Sequence, residues 1–135
     1  MQGACLCGAV QITAEPAREK LTVCHCGMCR KWCSGPFVSM AAKPESVSIS
    51  GPVALRQTSE WAERAHCGEC GSALWYRQTE PQSAHNFAAG LFDTGEMALG
   101  LELWIDAKPA GYALEGDHRR MTGAEIIELV ETGKW

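Results

Sequence analysis

A chain of 135 residues with 46% hydrophobic and 21% charged residues is large enough for one hydrophobic core but not for two. The net charge of −4 argues against nucleic acid or an anionic membrane as a partner, because both repel an acidic protein. No apolar run approaches the roughly 18 residues needed to span a bilayer. We therefore expect a single domain over 1–135, with a core over about 3–118.

The eight cysteines are the unusual feature of the composition. The first residues, Met1 to Cys5, show neither the basic nor the apolar region of a secretory leader, so we expect a cytoplasmic protein with reduced thiols. The cysteines also fall in C-x-C and C-x2-C groups. This spacing favours metal binding over disulfides in such a compartment.

The first half of the chain predicts short strands. Residues 26–33 can form a helical turn, and Gly51-Pro52 is placed to form the turn of a hairpin. Alternation of apolar and polar residues predicts strands at 9–15, 21–23, 37–41, 47–50 and 53–58.

The second half continues this pattern and then changes period. Strands are expected at 72–77 and, most clearly, at 99–105, with loops at 78–86 and 106–117. The capping-box sequence that starts at Thr122 predicts a helix over about 122–132. The prediction is a mainly antiparallel β fold with one C-terminal helix.

The spacing C-x-C-x2-C brings the thiols of Cys24, Cys26 and Cys29 around one point, where Zn2+ would bind them tetrahedrally. Three ligands leave one position open, as in catalytic zinc sites. Cys33 lies four residues after Cys29 and could reach the same ion from one helix face. The alternatives are a small packed side chain at Cys33 or a redox pair with Cys29.

The other four cysteines form two pairs, and each pair adjoins a predicted strand. Together they supply the thiolates of a closed site, whose metal would stabilise the fold directly. These residues are Cys5, Cys7, Cys67 and Cys70.

Three motifs occur in a characteristic order: G-x-C-x-C-G at 3–8, C-H-C-x2-C-R-K at 24–31 and C-G-x-C-G-S at 67–72. They resemble the glutathione-dependent formaldehyde-activating enzyme family, to which centromere protein V is related. The resemblance implies the β-tent fold of small zinc-containing exchange factors and two zinc ions per chain, the second of them partly occupied. It assigns the structural zinc to Cys5, Cys7, Cys67 and Cys70, and the second zinc to Cys24, Cys26 and Cys29.

The resemblance also implies a carbon–sulfur lyase or synthase that joins glutathione, or a similar thiol, to formaldehyde or another small aldehyde. Cys24, Cys26, Cys29 and His25 are the expected catalytic residues, with His25 as a candidate acid. Arg30 and Lys31 are candidate partners for the substrate carboxylates.

The alternative function is a non-catalytic zinc-binding protein that acts as a thiol carrier or a partner-binding module. The number of subunits stays open. His85 and His118 are expected at the surface, and Arg120 beside the entry of the C-terminal helix.

Overall fold

The computed structural model describes residues 1–134, which form two compact units. Unit 1 consists of Met1–Glu19 and Ser39–Met97, and unit 2 consists of Lys20–Val38 and the chain from Ala98 onward. Each unit is therefore built from two segments that are distant in the sequence.

Eleven strands and two α-helices occur within these residues. The α-helices are α1 (Gly27–Cys33) and α2 (Gly123–Glu131), and 3-10 turns lie at Pro44–Ser46, Ala89–Leu91 and Ile105–Ala107. The strands are β1 (Gln2–Ala4), β2 (Gln11–Thr13), β3 (Lys20–Cys24), β4 (Phe37–Ala41), β5 (Ser48–Ser50), β6 (Val53–Gln57), β7 (Ala62–Cys67), β8 (Ala73–Gln78), β9 (Asn86–Ala88), β10 (Ala98–Leu103) and β11 (Arg119–Met121).

Unit 1 is antiparallel throughout its paired strands. One group has the order β1-β2-β5, and the other has the order β4-β9-β8-β7-β6. Its core contains an aromatic cluster in which Phe87, fully buried, packs against Trp75 and Phe92 with ring centroids 5.9 and 5.7 Å apart. His85 stacks on Phe87 at 5.3 Å, so this imidazole is half-buried rather than a surface group as expected.

Unit 2 places β10 between β3 and β11, and both pairings are parallel. In this register Leu103 lies opposite Cys24, and Glu102 lies opposite Arg120. The strand β10 therefore runs beside the end of β3, where the second group of cysteines begins.

The prediction of a mainly β fold with a C-terminal helix is confirmed. The helix α2 begins after Thr122, whose hydroxyl caps the backbone N–H of Glu125, and the Glu125 carboxylate accepts from the Thr122 N–H in return. The helical turn expected over 26–33 is α1.

Two expectations are corrected. The hairpin over 47–58 does not form, because β5 pairs with β2 and β6 pairs with β7. A Cβ at Gly51 would lie 2.1 Å from the Ala9 carbonyl oxygen, so the segment after β5 passes directly against the segment before β2. The prediction also missed the parallel pairing of unit 2 and the strands β1, β7, β9 and β11.

Over the described range, no helix combines the length and the apolar character that crossing a membrane requires.

Candidate metal centres

Four cysteines of unit 1 converge on one point. The sulfur atoms of Cys5, Cys7, Cys67 and Cys70 all lie within 4.8 Å of one another. The distances are 3.5 Å between Cys5 and Cys7 and 3.9 Å between Cys7 and Cys67. Tetrahedral zinc with Zn–S bonds of about 2.3 Å requires sulfur atoms roughly 3.8 Å apart. The thiol positions therefore fit a four-thiolate zinc site.

Backbone N–H groups point at these sulfur atoms, as is usual where a metal is held by thiolates. The Val10 N–H donates to Cys5 Sγ at 3.2 Å, and the Cys70 N–H lies 3.5 Å from Cys67 Sγ. Gly71 closes the turn with a bond from its N–H to the Cys67 carbonyl at 3.0 Å and has a φ of +76°, which favours glycine. The geometry of the C-G-x-C-G turn thus follows from its small residues.

The acidities of these thiols are strongly unequal without a cation. The Ser72 hydroxyl, 3.2 Å from Cys70 Sγ, is the main cause that lowers the pKa of Cys70 to about 5. The backbone N–H of Ala9 favours the Cys7 thiolate, but the Cys5 side chain and burial outweigh it and raise the pKa of Cys7 to about 12. Thiolates this close repel one another, and a divalent cation would remove that repulsion.

The second group consists of three cysteines of unit 2. The sulfur atoms of Cys24, Cys26 and Cys29 lie within 4.8 Å of one another. Cys24 ends β3, Cys26 is the N-cap of α1, and Cys29 is buried in the first turns of that helix. The Cys29 N–H lies 3.4 Å from Cys26 Sγ, so the helix N-terminus faces a sulfur atom.

The thiols of this second group also differ strongly in pKa. The side chains of Cys24 and Cys29 lower the pKa of Cys26 to about 2, and the side chains of Cys26 and Cys29 raise the pKa of Cys24 far above its ordinary value. Three adjacent thiolates repel one another, and a thiophilic dication would allow all three to be deprotonated. The residues present therefore fit zinc, with three protein ligands within residues 1–134.

Cys33 is oriented differently from the other three thiols of this segment. Its Sγ donates to the Cys29 carbonyl at 3.1 Å and approaches the Gly35 carbonyl at 3.4 Å. The group of mutually close donors does not include Cys33. Ligation of a metal by Cys33 stays a prediction that would require its side chain to rotate.

His25 lies between two cysteines of the group, but its side chain is fully buried. Its Nδ1 is 3.1 Å from the Tyr112 hydroxyl, and its Nε2 is 3.5 Å from Glu102 Oε1. Burial lowers the pKa of His25, although the nearby Glu102 acts in the opposite direction. The imidazole is therefore held inside unit 2, where burial favours its neutral form.

The two candidate cations adjoin the second group on α1. Arg30 is half-buried, and its Nε donates to the His25 carbonyl at 3.0 Å. Lys31 is exposed. Carboxylate binding by either residue stays a prediction.

The sequence analysis missed the buried polar residues of unit 2. Glu102 and the His118 side chain are each 1% exposed, and the Arg120 Nε lies 3.1 Å from Glu102 Oε2. The expectations of a surface His118 and of an Arg120 that only borders the helix are thus corrected. The alternation of Leu101, Glu102 and Leu103 is typical of a strand that exposes its charged residue, so no local signal in the sequence indicates the burial of Glu102.

Comparisons with known proteins show which proteins this chain resembles. An uncharacterized lyase from Schizosaccharomyces pombe is 33% identical over 132 residues, which cover 96% of each chain. A Halomonas elongata protein, provisionally named a glutathione-dependent formaldehyde-activating enzyme, is 26% identical over 127 residues, covering 85% of this chain and 81% of that protein.

Among solved structures, the crystal structure of a Rhodobacter sphaeroides protein covers 90% of this chain and 100% of its own, with a TM-score of 0.61 and 17% identity. This similarity supports the fold alone. The model of the family described as "Glutathione-dependent formaldehyde-activating enzyme" matches residues 1–107. The chain belongs to the glutathione-dependent formaldehyde-activating enzyme family.

Proposed function

We propose that this protein is a zinc-dependent carbon–sulfur lyase that joins the thiol of glutathione, or of a similar molecule, to formaldehyde or a similar small aldehyde. The observation that carries the proposal is the three-thiol group of Cys24, Cys26 and Cys29, found in a chain of this family. A tetrahedral ion held by three protein ligands has room for one ligand from the substrate.

The reaction is an addition and needs no oxidant or reductant. The substrate sulfur attacks the aldehyde carbon, a C–S bond forms, and the electron pair of the C=O π bond moves to oxygen. The proton lost by the thiol returns to that oxygen through solvent, which gives the S-hydroxymethyl adduct. Since thiols also add to formaldehyde unaided, binding both reactants together would supply much of the acceleration.

The residues have distinct roles in this proposal. Cys24, Cys26 and Cys29 hold the ion, which when bound would lower the pKa of a substrate thiol and stabilise negative charge. Arg30 and Lys31 bind the carboxylates of a glutathione-like thiol through charge-assisted hydrogen bonds. The buried His25 is not assigned proton transfer to the aldehyde oxygen, because a general acid must lie within hydrogen-bond reach of that oxygen.

The proposal includes two Zn2+ per chain. One is held by the four cysteines of unit 1 and supports the fold, and the other is exchangeable and partly occupied. It places the activity in the cytoplasm and requires neither nucleic acid nor a membrane as a partner.

Exchange NMR on mixtures of formaldehyde and glutathione tests the proposal, because it measures adduct formation and breakdown at equilibrium. The zinc-loaded protein should accelerate the exchange, and Cys29→Ser should abolish the acceleration. Cys33→Ser is the matched control on the same helix and should retain it. A wild-type protein with two bound zinc ions and no acceleration would overturn the enzyme proposal and favour a thiol carrier.

The proposed binding of the substrate carboxylates by Arg30 is tested separately. Replacing Arg30 by Met should raise KM for glutathione more than KM for a thiol without carboxylates, because only the first substrate loses a charged partner while both lose the bond from Arg30 to the His25 carbonyl. An equal rise for both thiols would show that Arg30 acts on the site and not on the substrate.

A further inference from the structure

A buried carboxylate lies at the centre of unit 2. Glu102 is 1% exposed on β10, although isolated charges are too costly to bury without partners. Its Oε2 is 3.1 Å from Arg120 Nε and 3.4 Å from His118 Nε2, and its Oε1 is 3.5 Å from His25 Nε2. Three side chains thus lie next to one carboxylate. One of them, His25, belongs to the segment that carries the second group of cysteines.

His25 is fixed through both its ring and its backbone. Besides the approach to Glu102, its Nδ1 meets the Tyr112 hydroxyl at 3.1 Å. Its N–H donates to the Leu103 carbonyl, and its own carbonyl accepts from Arg30 Nε, both at 3.0 Å. Because Cys24 and Cys26 directly flank this residue, the restraint on His25 is also a restraint on two of the three thiols.

The position of Glu102 excludes two simpler roles. The Arg120 guanidinium already supplies a positive charge to the carboxylate, so a metal ion at the same place would be repelled. The carboxylate and the His25 and His118 side chains are at most 1% exposed, so none of them can contact a substrate from solution. Support of the neighbouring segment is the role that both observations allow.

We propose that Glu102 is the positioning residue of the second metal site, acting through His25 to hold Cys24 and Cys26 at the spacing that the ion requires. The inference rests on the proposed binding of zinc by Cys24, Cys26 and Cys29. Tyr112, His118 and Arg120 lie beyond residues 1–107, the part of the chain that the family model matches. The C-terminal part of this chain therefore completes the support of a site that lies within the family region.

Zinc affinity measured by chelator competition tests this role without any assay of the reaction. Glu102→Gln keeps the size of the side chain and removes its charge. Outer residues that orient metal ligands typically change metal affinity by about 10–100-fold, so we expect a loss of at least about tenfold at the three-cysteine site. The four-cysteine site, read in the same titration and by the Co2+ spectrum of each site, should be unchanged and serves as the internal reference.

Glu63→Gln is the matched control, since Glu63 is a 14% exposed carboxylate of unit 1 that binds Arg77 at 2.7 Å. It should leave the affinity of the three-cysteine site unchanged. Combining Glu102→Gln with His25→Asn should cost no more affinity than the larger single change, because both remove the same restraint. Fully additive losses would show that Glu102 acts independently of His25 and would overturn the positioning role.

Tyr112→Phe is a milder second variant, which removes only the hydroxyl that meets His25. Loss of one hydrogen bond should weaken zinc binding at the three-cysteine site by about two- to tenfold. Unchanged affinity in both Tyr112→Phe and Glu102→Gln, or an equal loss at both metal sites, would overturn the proposal. If zinc affinity falls as expected but the wild type does not accelerate the thiol–aldehyde reaction, only the proposed function fails.

Discussion

Gly3 opens the first cysteine motif, and the structure explains why a side chain does not fit there. A Cβ at this position would lie 2.7 Å from the Leu91 carbonyl oxygen and 2.7 Å from two carbon atoms of the Phe92 ring. Phe92 is 7% exposed and packs on Phe87, so the ring has little room to move. Gly3 also forms a bridge with Phe92, which holds β1 against this part of unit 1. We therefore predict that Gly3→Ala destabilises the protein.

The size of the effect follows from two opposing contributions. Forcing a methyl group into a packed contact costs about 1–3 kcal/mol, and replacing glycine by alanine in a strand returns roughly 0.5–1 kcal/mol. The methyl group would meet a backbone oxygen and a packed ring, neither of which can move aside easily, so the upper half of the first range applies and the net loss is about 1–2.5 kcal/mol. Each kcal/mol shifts Tm by roughly 3–5 °C in a chain of this length, so Tm should fall by about 3–12 °C.

Thermal unfolding of the zinc-saturated proteins, followed by circular dichroism, measures this fall. Gly90→Ala is the control in the same unit, because a Cβ there meets no atom within 4 Å. Zinc affinity at the four-cysteine site should also decrease in Gly3→Ala, since Cys5 is two residues away. A Tm for Gly3→Ala equal to that of Gly90→Ala would refute the steric argument.

Three further predictions concern other parts of the chain. Phe87→Ala should lower the free energy of unfolding by about 3–5 kcal/mol, measured in urea, because the ring is completely buried. Hydrogen bonds from the Thr122 N–H and hydroxyl lower the pKa of Glu125 below 4.5. The stability advantage of wild type over Glu125→Gln should therefore be present above pH 4.5 and disappear as the pH falls through the lowered pKa of Glu125. Tm measured at neutral and at acidic pH tests this. An advantage that persists in acid would contradict the prediction. Cys67→Ser should destabilise the zinc-saturated protein more than Cys29→Ser, by up to about 4 kcal/mol, because Cys67 joins segments distant in the sequence. Both thiols are buried, 1% and 5% exposed, so equal losses would contradict this difference.

The sequence predicted the features that depend on local signals. Alternating residues predicted most strands, the capping box at Thr122 placed α2, and the spacing of the cysteines divided them into the two groups that the structure brings together. The family and the mainly β fold are confirmed. These signals succeed because each involves residues within a few positions of one another or a ligand pattern with a fixed geometry.

The pairing of strands and the buried polar cluster could not be predicted from such signals. Gly51-Pro52 is typical of a hairpin turn, but β5 pairs with β2 and not with β6. This pairing brings Gly51 against Ala9, a contact between distant segments that no local sequence signal indicates. The sequence pattern places Glu102 on the polar face of β10, yet it is the most buried residue of that strand. The partners of Glu102 come from β11 and from the segment after β3, and no local sequence pattern indicates these contacts.

The two cysteine groups differ in what a metal can do for the folded chain. Cys7 and Cys67 are 60 residues apart, and by the loop-entropy argument a cross-link over that distance removes about 4 kcal/mol of unfolded-state entropy. The three thiols of unit 2 lie within six residues, at a strand end and a helix N-terminus that other contacts already order. A metal there restrains little additional chain, so stability does not require a fourth protein ligand to close the site. We therefore expect the local group to keep a position for substrate and the group that joins distant segments to form a closed site.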